Sequence, residues 1–127
     1  MLEKGLTFSC KTTVDATNLA SVMGSGDMDV FATPAMVALM EKAAMCAVAN
    51  ELMEGTTTVG TQIHVSHVKA SGIGELIEAT ATLTEVEGRK LVFSVSAKDS
   101  KGLIGEGSHC RFIVEKARFL AKLIKSE

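Results

Sequence analysis

Residues 34–50 read PAMVALMEKAAMCAVAN, a run of apolar and helix-forming residues interrupted only by the adjacent charges of Glu41 and Lys42. Thr33 offers an N-cap side chain before this run, and Pro34 suits the first helical position. Gly55 is well placed to end the helix. A helix this apolar has to be covered by the rest of the chain, which makes it the centre of the predicted fold.

The segments on either side of the helix alternate polar and apolar residues with period two, which predicts strands. One predicted strand, 5–14, precedes the helix, and four follow it at 56–70, 75–87, 89–98 and 103–115. Consecutive strands favour an antiparallel meander. The sequence therefore predicts an α+β fold in which a curved antiparallel β-sheet wraps around one long central helix. A sheet of this size leaves an edge exposed, so we expect a homodimer, with a higher oligomer left open.

The remaining segments are short. Residues 15–20 suit a turn of helix, 21–29 a flexible loop, and 116–127 either a continuation of the last strand or a short helix. Gly105 and Gly107 in the last strand indicate a bulge or a close approach of another backbone.

Composition and charge narrow the class of protein. The 127 residues suit a single domain, 1–127, and the net charge of −2 gives no support for nucleic-acid binding. No apolar run is long enough to span a bilayer, and the N-terminal segment MLEKGLTFSC lacks a signal-peptide core. Three cysteines without pair spacing, Cys10, Cys46 and Cys110, fit reduced thiols. We expect a cytoplasmic protein with no nucleic-acid or membrane partner.

Glu41 is the one acidic residue of the helix, and helical spacing puts Val37, Ala38, Ala44 and Met45 on its face. A carboxylate among apolar side chains loses hydration, which is costly unless the group is paired. Two interpretations follow: Glu41 is an edge residue that reaches solvent, or it is a catalytic carboxylate.

Strand alternation separates the two histidines of the segment 61–69. His67 shares a face with Ile63 and Val65 and should point toward the helix layer, whereas His64 should point away. A core-facing histidine is either a structural hydrogen-bonding residue or, with Glu41, half of an acid–base pair.

The remaining sequence patterns are less informative about function. His109, on the last predicted strand, is interpreted as a solvent-facing residue. His64 and His67 diverge on a strand and have no further ligand at metal-site spacing, so no metal site is predicted. Neither a glycine-rich phosphate loop nor a GxSxG nucleophile elbow is present, and no cofactor is expected.

Four segments together carry a family resemblance: VFATPAMVALMEKAA (30–44), TVGTQIHVSHVKA (58–70), EVEGRKLVFSVSAKD (85–99) and IGEGSHCRFIVE (104–115). In order and spacing they resemble the hot-dog-fold acyl-coenzyme A thioesterases, and within them the fluoroacetyl-coenzyme A thioesterase-like family. The resemblance covers roughly residues 28–117. It implies a hot-dog fold and hydrolysis of an acyl thioester, with coenzyme A as part of the substrate.

The resemblance also implies roles for five residues. Thr33, Glu41 and His67 would be catalytic, and Gly60 and Arg111 would bind substrate. Glu41 would attack the carbonyl or activate water, while His67 shuttles the proton. Thr33 would orient one of these two residues or take part in acyl transfer. The Gly60 N–H would hold the oxyanion. Arg111 would pair with Glu41 or bind the coenzyme A phosphates, and Thr33 has the alternative role of a helix N-cap.

Helix geometry constrains this site. Thr33 and Glu41 are eight residues apart, which in a helix that starts at Pro34 separates them by roughly 12 Å along the axis. Their side chains cannot meet at that distance. Either the helix begins later or the site joins residues from two chains, and we favour a site at a homodimer interface.

One segment departs from the family pattern. Residues 24–29, GSGDMD, stand where the family has a lid containing an aromatic residue. The resemblance therefore implies thioester hydrolysis without implying selectivity for a fluorinated acyl group, and the small residues near Glu41 and Gly60 favour a short acyl chain. Two other functions stay open: a non-catalytic acyl-coenzyme A-binding or regulatory module, and a dehydratase or hydratase, although the Asp-x-Asn-x-x-His pattern of hydratases is absent.

Overall fold

The computed structural model describes residues 1–125, which form five β-strands and three α-helices. In chain order these are β1 (Thr7–Thr13), α1 (Ala20–Met23), α2 (Thr33–Val48), β2 (Thr56–His67), β3 (Leu76–Glu87), β4 (Lys90–Asp99), β5 (Gly102–Glu115) and α3 (Lys116–Lys125). A 3-10 turn, Ala49–Glu51, follows α2. The predicted tail is a helix as far as Lys125, and its last two positions lie outside the described residues.

The five strands form one antiparallel sheet in the order β1-β3-β4-β5-β2. The long helix α2 packs against β1, β2, β3 and β4. The predicted α+β architecture is confirmed, and the meander is present in β3, β4 and β5.

The predicted meander is wrong for β2, which pairs with β5 instead of β3. Its link to β3, residues 68–75, can span up to about 26 Å. The chain needs only about 14 Å to cross three strand spacings and enter β3 on the far side of β4 and β5.

The core lies between α2 and the sheet. The predicted inward faces of β3 and β4 are buried, as is one side of α2. The fully covered apolar residues of these elements are Ile77, Ala79, Ala81, Leu83, Leu91, Phe93, Val95 and Ala97 on the strands and Met36, Leu39, Met40, Ala43, Ala44 and Val48 on the helix. The burial follows the period of two in the strands and of 3.6 in the helix.

The helix boundaries differ from the predicted ones. The N-cap of α2 is Ala32, and Thr33 is the first helical residue with no side-chain cap hydrogen bond, so the interpretation of Thr33 as an N-cap is wrong. The helix ends at Val48, well before Gly55, whose φ of 86° serves the turn into β2. The first short helix begins at Ala20, later than predicted, because residues 15–18 form a hydrogen-bonded turn around Asp15.

Two sequence expectations about thiols and membranes can be compared with the described part of the chain. Within residues 1–125, none of the three cysteines is in a disulfide. In the same residues, no helix has the length and apolar character required to cross a bilayer.

Candidate active site

His67, the last residue of β2, is half-buried and lies against Thr33 at the start of α2. Its Nδ1 atom is 2.8 Å from the Thr33 hydroxyl oxygen, a hydrogen-bonding distance. It shares the inward side of β2 with Ile63 and Val65, which are half-buried, whereas His64 is exposed. The predicted orientation of His67 is therefore confirmed. Burial lowers the pKa of His67 below its ordinary value of 6.5, and the backbone of Lys69 opposes this effect more weakly.

The second ring nitrogen of His67 is unusual. Nε2 is buried and has no hydrogen-bond partner among the described residues. A buried polar atom without a partner is costly and requires an explanation, such as a catalytic role or a bound water or ion. His67 thus has one nitrogen held by Thr33 and one whose hydrogen-bonding capacity is unused.

A cavity of about 340 Å³ opens beside this Thr–His pair. Thr33, His67 and the buried ring of Phe31 line it on one side. The segment 25–28 forms part of its wall. The pair therefore faces a space large enough for a small organic group.

Glu41 is found at a different place, in the middle of α2. Its side chain is 41% exposed, because Ala38 and Met45 on its face are themselves exposed and the helix buries a neighbouring stripe. The expected enclosure of Glu41 by apolar residues is therefore incomplete within one chain. Its Oε2 atom lies 3.9 Å from Nη1 of Arg111, which is almost fully buried on β5.

All three nitrogen atoms of the Arg111 guanidinium have contacts within the chain. Nε donates to the Thr58 hydroxyl at 2.8 Å and Nη2 to the Thr58 carbonyl at 2.9 Å, while Nη1 lies 3.2 Å from His109 Nε2. Burial, the largest influence, lowers the pKa of Arg111, and Glu41 opposes it. A guanidinium enclosed in this way is placed to pair with Glu41 and is not presented to coenzyme A phosphates in solvent.

The environment of His109 differs from the one predicted from the sequence. The prediction of a solvent-facing side chain is wrong, because His109 is only 1% exposed and its Nδ1 lies 2.8 Å from the Gln62 carbonyl. A signal was available: His109 and Arg111 alternate on the inward side of β5, and the carboxylate of Glu41 on the packed helix requires polar groups opposite it.

Gly60 lies where these side chains converge. A Cβ atom there would stand 2.6 Å from Glu41 Oε2, 3.2 Å from His109 Cε1 and 3.3 Å from Arg111 Nη1. The β2–β5 register also shifts between Gly60 and Gln62, which marks a bulge. Glycine at this position gives the carboxylate the room to approach the strand.

The predicted site residues thus form two groups within one chain. Thr33 and His67 make one group, and Glu41, Gly60 and Arg111 make the other, with His109 added. No hydrogen bond or ion pair joins Glu41 to Thr33 or His67 in the part of the chain that the structure describes. Thr33 and Glu41 are eight positions apart, which puts the groups roughly 12 Å apart along α2.

An antiparallel sheet packed on one long helix is the hot-dog architecture, and a solved member of the thioesterase superfamily shares it. The chain belongs to the family described as fluoroacetyl-CoA-specific thioesterase, which matches residues 14–117. It is accordingly a thioester hydrolase, and the first of the three functional hypotheses is confirmed.

Known relatives agree with this assignment. The fluoroacetyl-CoA thioesterase of Streptantibioticus cattleyicolor is 43% identical over 95 residues, which are 75% of this chain and 68% of that protein. A solved structure of the fluoroacetyl-CoA thioesterase FlK has a TM-score of 0.93 at 33% identity and covers 100% of this chain and 98% of its own. A thioesterase superfamily member from Thermus thermophilus, 26% identical, has a TM-score of 0.89 over 97% of this chain and 91% of its own.

Proposed function

We propose that this chain hydrolyses a short acyl-coenzyme A thioester at a site shared between two copies of the chain. Thr33 and His67 of one copy and Glu41, Gly60 and Arg111 of the other would form each site. The observation that carries this proposal is the buried, unpartnered Nε2 of His67 beside Thr33. Within one chain, Glu41 lies too far away to serve it, so a second copy is the natural source of the carboxylate.

The proposed chemistry uses these side chains alone. Glu41 either removes a proton from the attacking water or adds to the carbonyl carbon itself, and the Gly60 N–H stabilises the oxyanion. The carbon–sulfur bond then breaks, and His67 protonates the leaving thiolate with a proton that comes from the water consumed in the reaction. In the second route the acyl–Glu41 anhydride is then hydrolysed by that water, which releases the carboxylic acid and restores Glu41. Hydrolysis in H₂¹⁸O under single-turnover conditions distinguishes the two roles, because ¹⁸O can enter the Glu41 carboxylate only when Glu41 is the nucleophile.

Mixing of variants tests the shared site. In Glu41→Ala/His67→Ala mixed dimers one of the two sites regains both residues, and random exchange makes half of the dimers mixed. An equal mixture should therefore recover about a quarter of wild-type activity. Thr33→Ala mixed with His67→Ala is the matched control and should recover nothing, because these two residues belong to the same half-site. A Glu41→Ala/His67→Ala mixture that stays inactive after confirmed exchange contradicts the proposal.

The acyl group is also part of the proposal. The cavity of about 340 Å³ beside His67 suits a short chain, and its wall at 25–28 contains no aromatic residue. One solved structure of a FlK mutant, which has a TM-score of 0.93 and is 33% identical to this chain, is in complex with acetyl-CoA. We expect acetyl-CoA and fluoroacetyl-CoA to be hydrolysed with kcat/KM values within about tenfold of each other. A preference of several thousandfold for the fluorinated ester would contradict this expectation.

A further inference from the structure

His109 has no role in the chemistry above, although it is one of the most enclosed polar side chains of the molecule. It lies on β5 with 1% of its surface exposed, and its ring is tilted at 32° to that of Phe93 with the centroids 6.2 Å apart. The charged groups near it are Arg111, on its own strand, and Glu41, on α2. A buried histidine beside a functional carboxylate requires an explanation beyond packing.

The contacts of His109 define its tautomer. Its Nδ1 lies 2.8 Å from the Gln62 carbonyl, which can only accept, so Nδ1 carries the hydrogen. Its Nε2 lies 3.2 Å from Arg111 Nη1, which can only donate, so Nε2 presents its lone pair. Both contacts are satisfied together only by a neutral ring with the proton on Nδ1.

The electrostatic surroundings agree with a neutral ring. Burial is the largest influence and lowers the pKa of His109 below its ordinary 6.5. The Gln62 carbonyl and Glu41 oppose this effect, whereas the Arg111 cation adds to it. Protonation would also direct a second N–H at the guanidinium and remove the acceptor that Nη1 uses.

The hydrogen bond that His109 Nε2 accepts from Arg111 also affects Glu41. Thr58 occupies Nε and Nη2 of Arg111, so Nη1 is the guanidinium nitrogen shared between His109 and Glu41. With His109 accepting from it, Nη1 remains 3.9 Å from the Glu41 carboxylate. Nη1 carries two N–H groups, and His109 accepts one of them. Without that acceptor the guanidinium would lose one of the contacts that fix it, and it would shift toward the Glu41 carboxylate to form a direct hydrogen bond that competes with catalysis.

The hydrogen bond from His109 to the Gln62 carbonyl lies close to the proposed oxyanion site. The bulge lies between Gly60 and Gln62, and the hydrogen bond from His109 fixes the Gln62 carbonyl at its end. A bulge lacks part of the ladder that normally holds a strand. The hydrogen bond from His109 restores one anchor two positions from Gly60, whose N–H is proposed to hold the oxyanion.

We propose that His109 is a positioning residue: as the neutral Nδ1–H tautomer, it keeps Arg111 from closing on Glu41 and fixes the bulge that carries Gly60. This inference rests on the proposed role of Glu41. It predicts an effect mainly on turnover, because the enclosed His109 acts on the substrate only through Glu41 and Gly60.

Two variants separate positioning from packing. His109→Phe fills the space but has neither nitrogen, whereas His109→Gln retains one donor and one acceptor. Relative to wild type, kcat of His109→Phe should fall by about 100-fold with KM changed by less than about threefold, and His109→Gln should recover at least about tenfold of that loss. A kcat for His109→Phe within about twofold of wild type, or a loss equal to the unfolded fraction, overturns the inference.

A spectroscopic measurement makes the test independent of how the variants fold. In the wild-type protein at pH 7, ¹⁵N NMR of the His109 ring should show the Nδ1–H tautomer, and an Nε2–H tautomer or an imidazolium overturns the inference. Glu41→Gln, assayed alongside, keeps the two hypotheses apart. An active Glu41→Gln enzyme means that the proposed function fails, whereas an inactive one beside a fully active His109→Phe means that only the role of His109 fails.

Discussion

Gly60 shows how a single missing side chain arranges the carboxylate site. The Oε2 atom of Glu41 occupies space that any Cβ at position 60 would need. The closest obstructing atom is the end of a flexible side chain, and His109 Cε1 at 3.2 Å and Arg111 Nη1 at 3.3 Å would have to give by only a few tenths of an ångström. A substitution at this position therefore acts on Glu41 more than on the fold.

We predict that Gly60→Ala changes the free energy of unfolding by less than about 1 kcal/mol, since alanine fits extended backbone and restricts the unfolded chain. Its kcat should fall by about 100-fold, because Glu41 is displaced from its present position by about the size of a methyl group. Urea unfolding and steady-state kinetics measure both. Gly72→Ala is the control, as a Cβ there meets nothing within 4 Å and should change neither quantity.

Single residues also show how much of the candidate site sequence patterns could predict. Helical position and strand parity were enough to single out Glu41 and to orient His67 toward the helix layer. They misjudged His109, because alternation says which side chains share a face but not that a polar side chain on that face has partners. The cap predicted for Thr33 was wrong for a similar reason. Its position before Pro34 suits a cap, but its hydroxyl is hydrogen-bonded to His67 on β2 instead.

Among the elements, β2 and β5 carry most of the site, and they approach closely because two glycines of β5 lack side chains. A Cβ at Gly105 would lie 2.8 Å from the backbone carbonyl oxygen of Ser66 on β2. A Cβ at Gly107 would clash with the backbone carbonyl of His64 and lie 2.7 Å from Val65 Cα. The close backbone approach predicted for these glycines is confirmed.

We predict that Gly107→Ala destabilises the protein by about 2–3 kcal/mol, because backbone atoms of β2 must move to admit the methyl group. Activity should fall as well, since β2 bears both Gly60 and His67. The midpoint of urea unfolding, measured with kcat, tests both effects. Ser108→Ala, at an exposed position next in the strand, should leave the midpoint unchanged, and an equal loss in both variants would refute the explanation.

Element pairing was harder to predict than element type. The alternation in β3 and β4 predicted their inward faces and their hairpin, because sequential strands joined by a tight turn have few alternatives. The position of β2 depends on where the segment 68–75 crosses. That path is fixed by contacts distant in sequence: Lys69 and Ser71 both bind the carboxylate of Asp99 at the β4–β5 turn.

The whole molecule keeps its ionisable core groups in defined protonation states. Burial lowers the pKa values of His67 and His109 below 6.5, so the folded chain favours both rings neutral. The hydrogen bonds from Lys69 come first among the causes that hold the pKa of Asp99 at about 2, against an ordinary 3.8. Stability should therefore decline in two separate steps as the pH falls.

The first step provides the last prediction. Above pH 6.5 both histidines are neutral in the folded and unfolded states, so their full contribution is present. Below pH 6.5 the unfolded chain takes up protons that the folded chain resists, and the free energy of unfolding should fall by up to about 1.4 kcal/mol per pH unit for each histidine. The Asp99 contribution is lost only as the pH falls from 3.8 toward about 2.

Urea unfolding at pH 8 to 4 should show the first decline. The variant His109→Gln should reduce its slope, and His64→Ala, which changes an exposed side chain, should preserve it. A stability that stays constant between pH 6.5 and 4.5 would show that neither ring is held neutral by the fold.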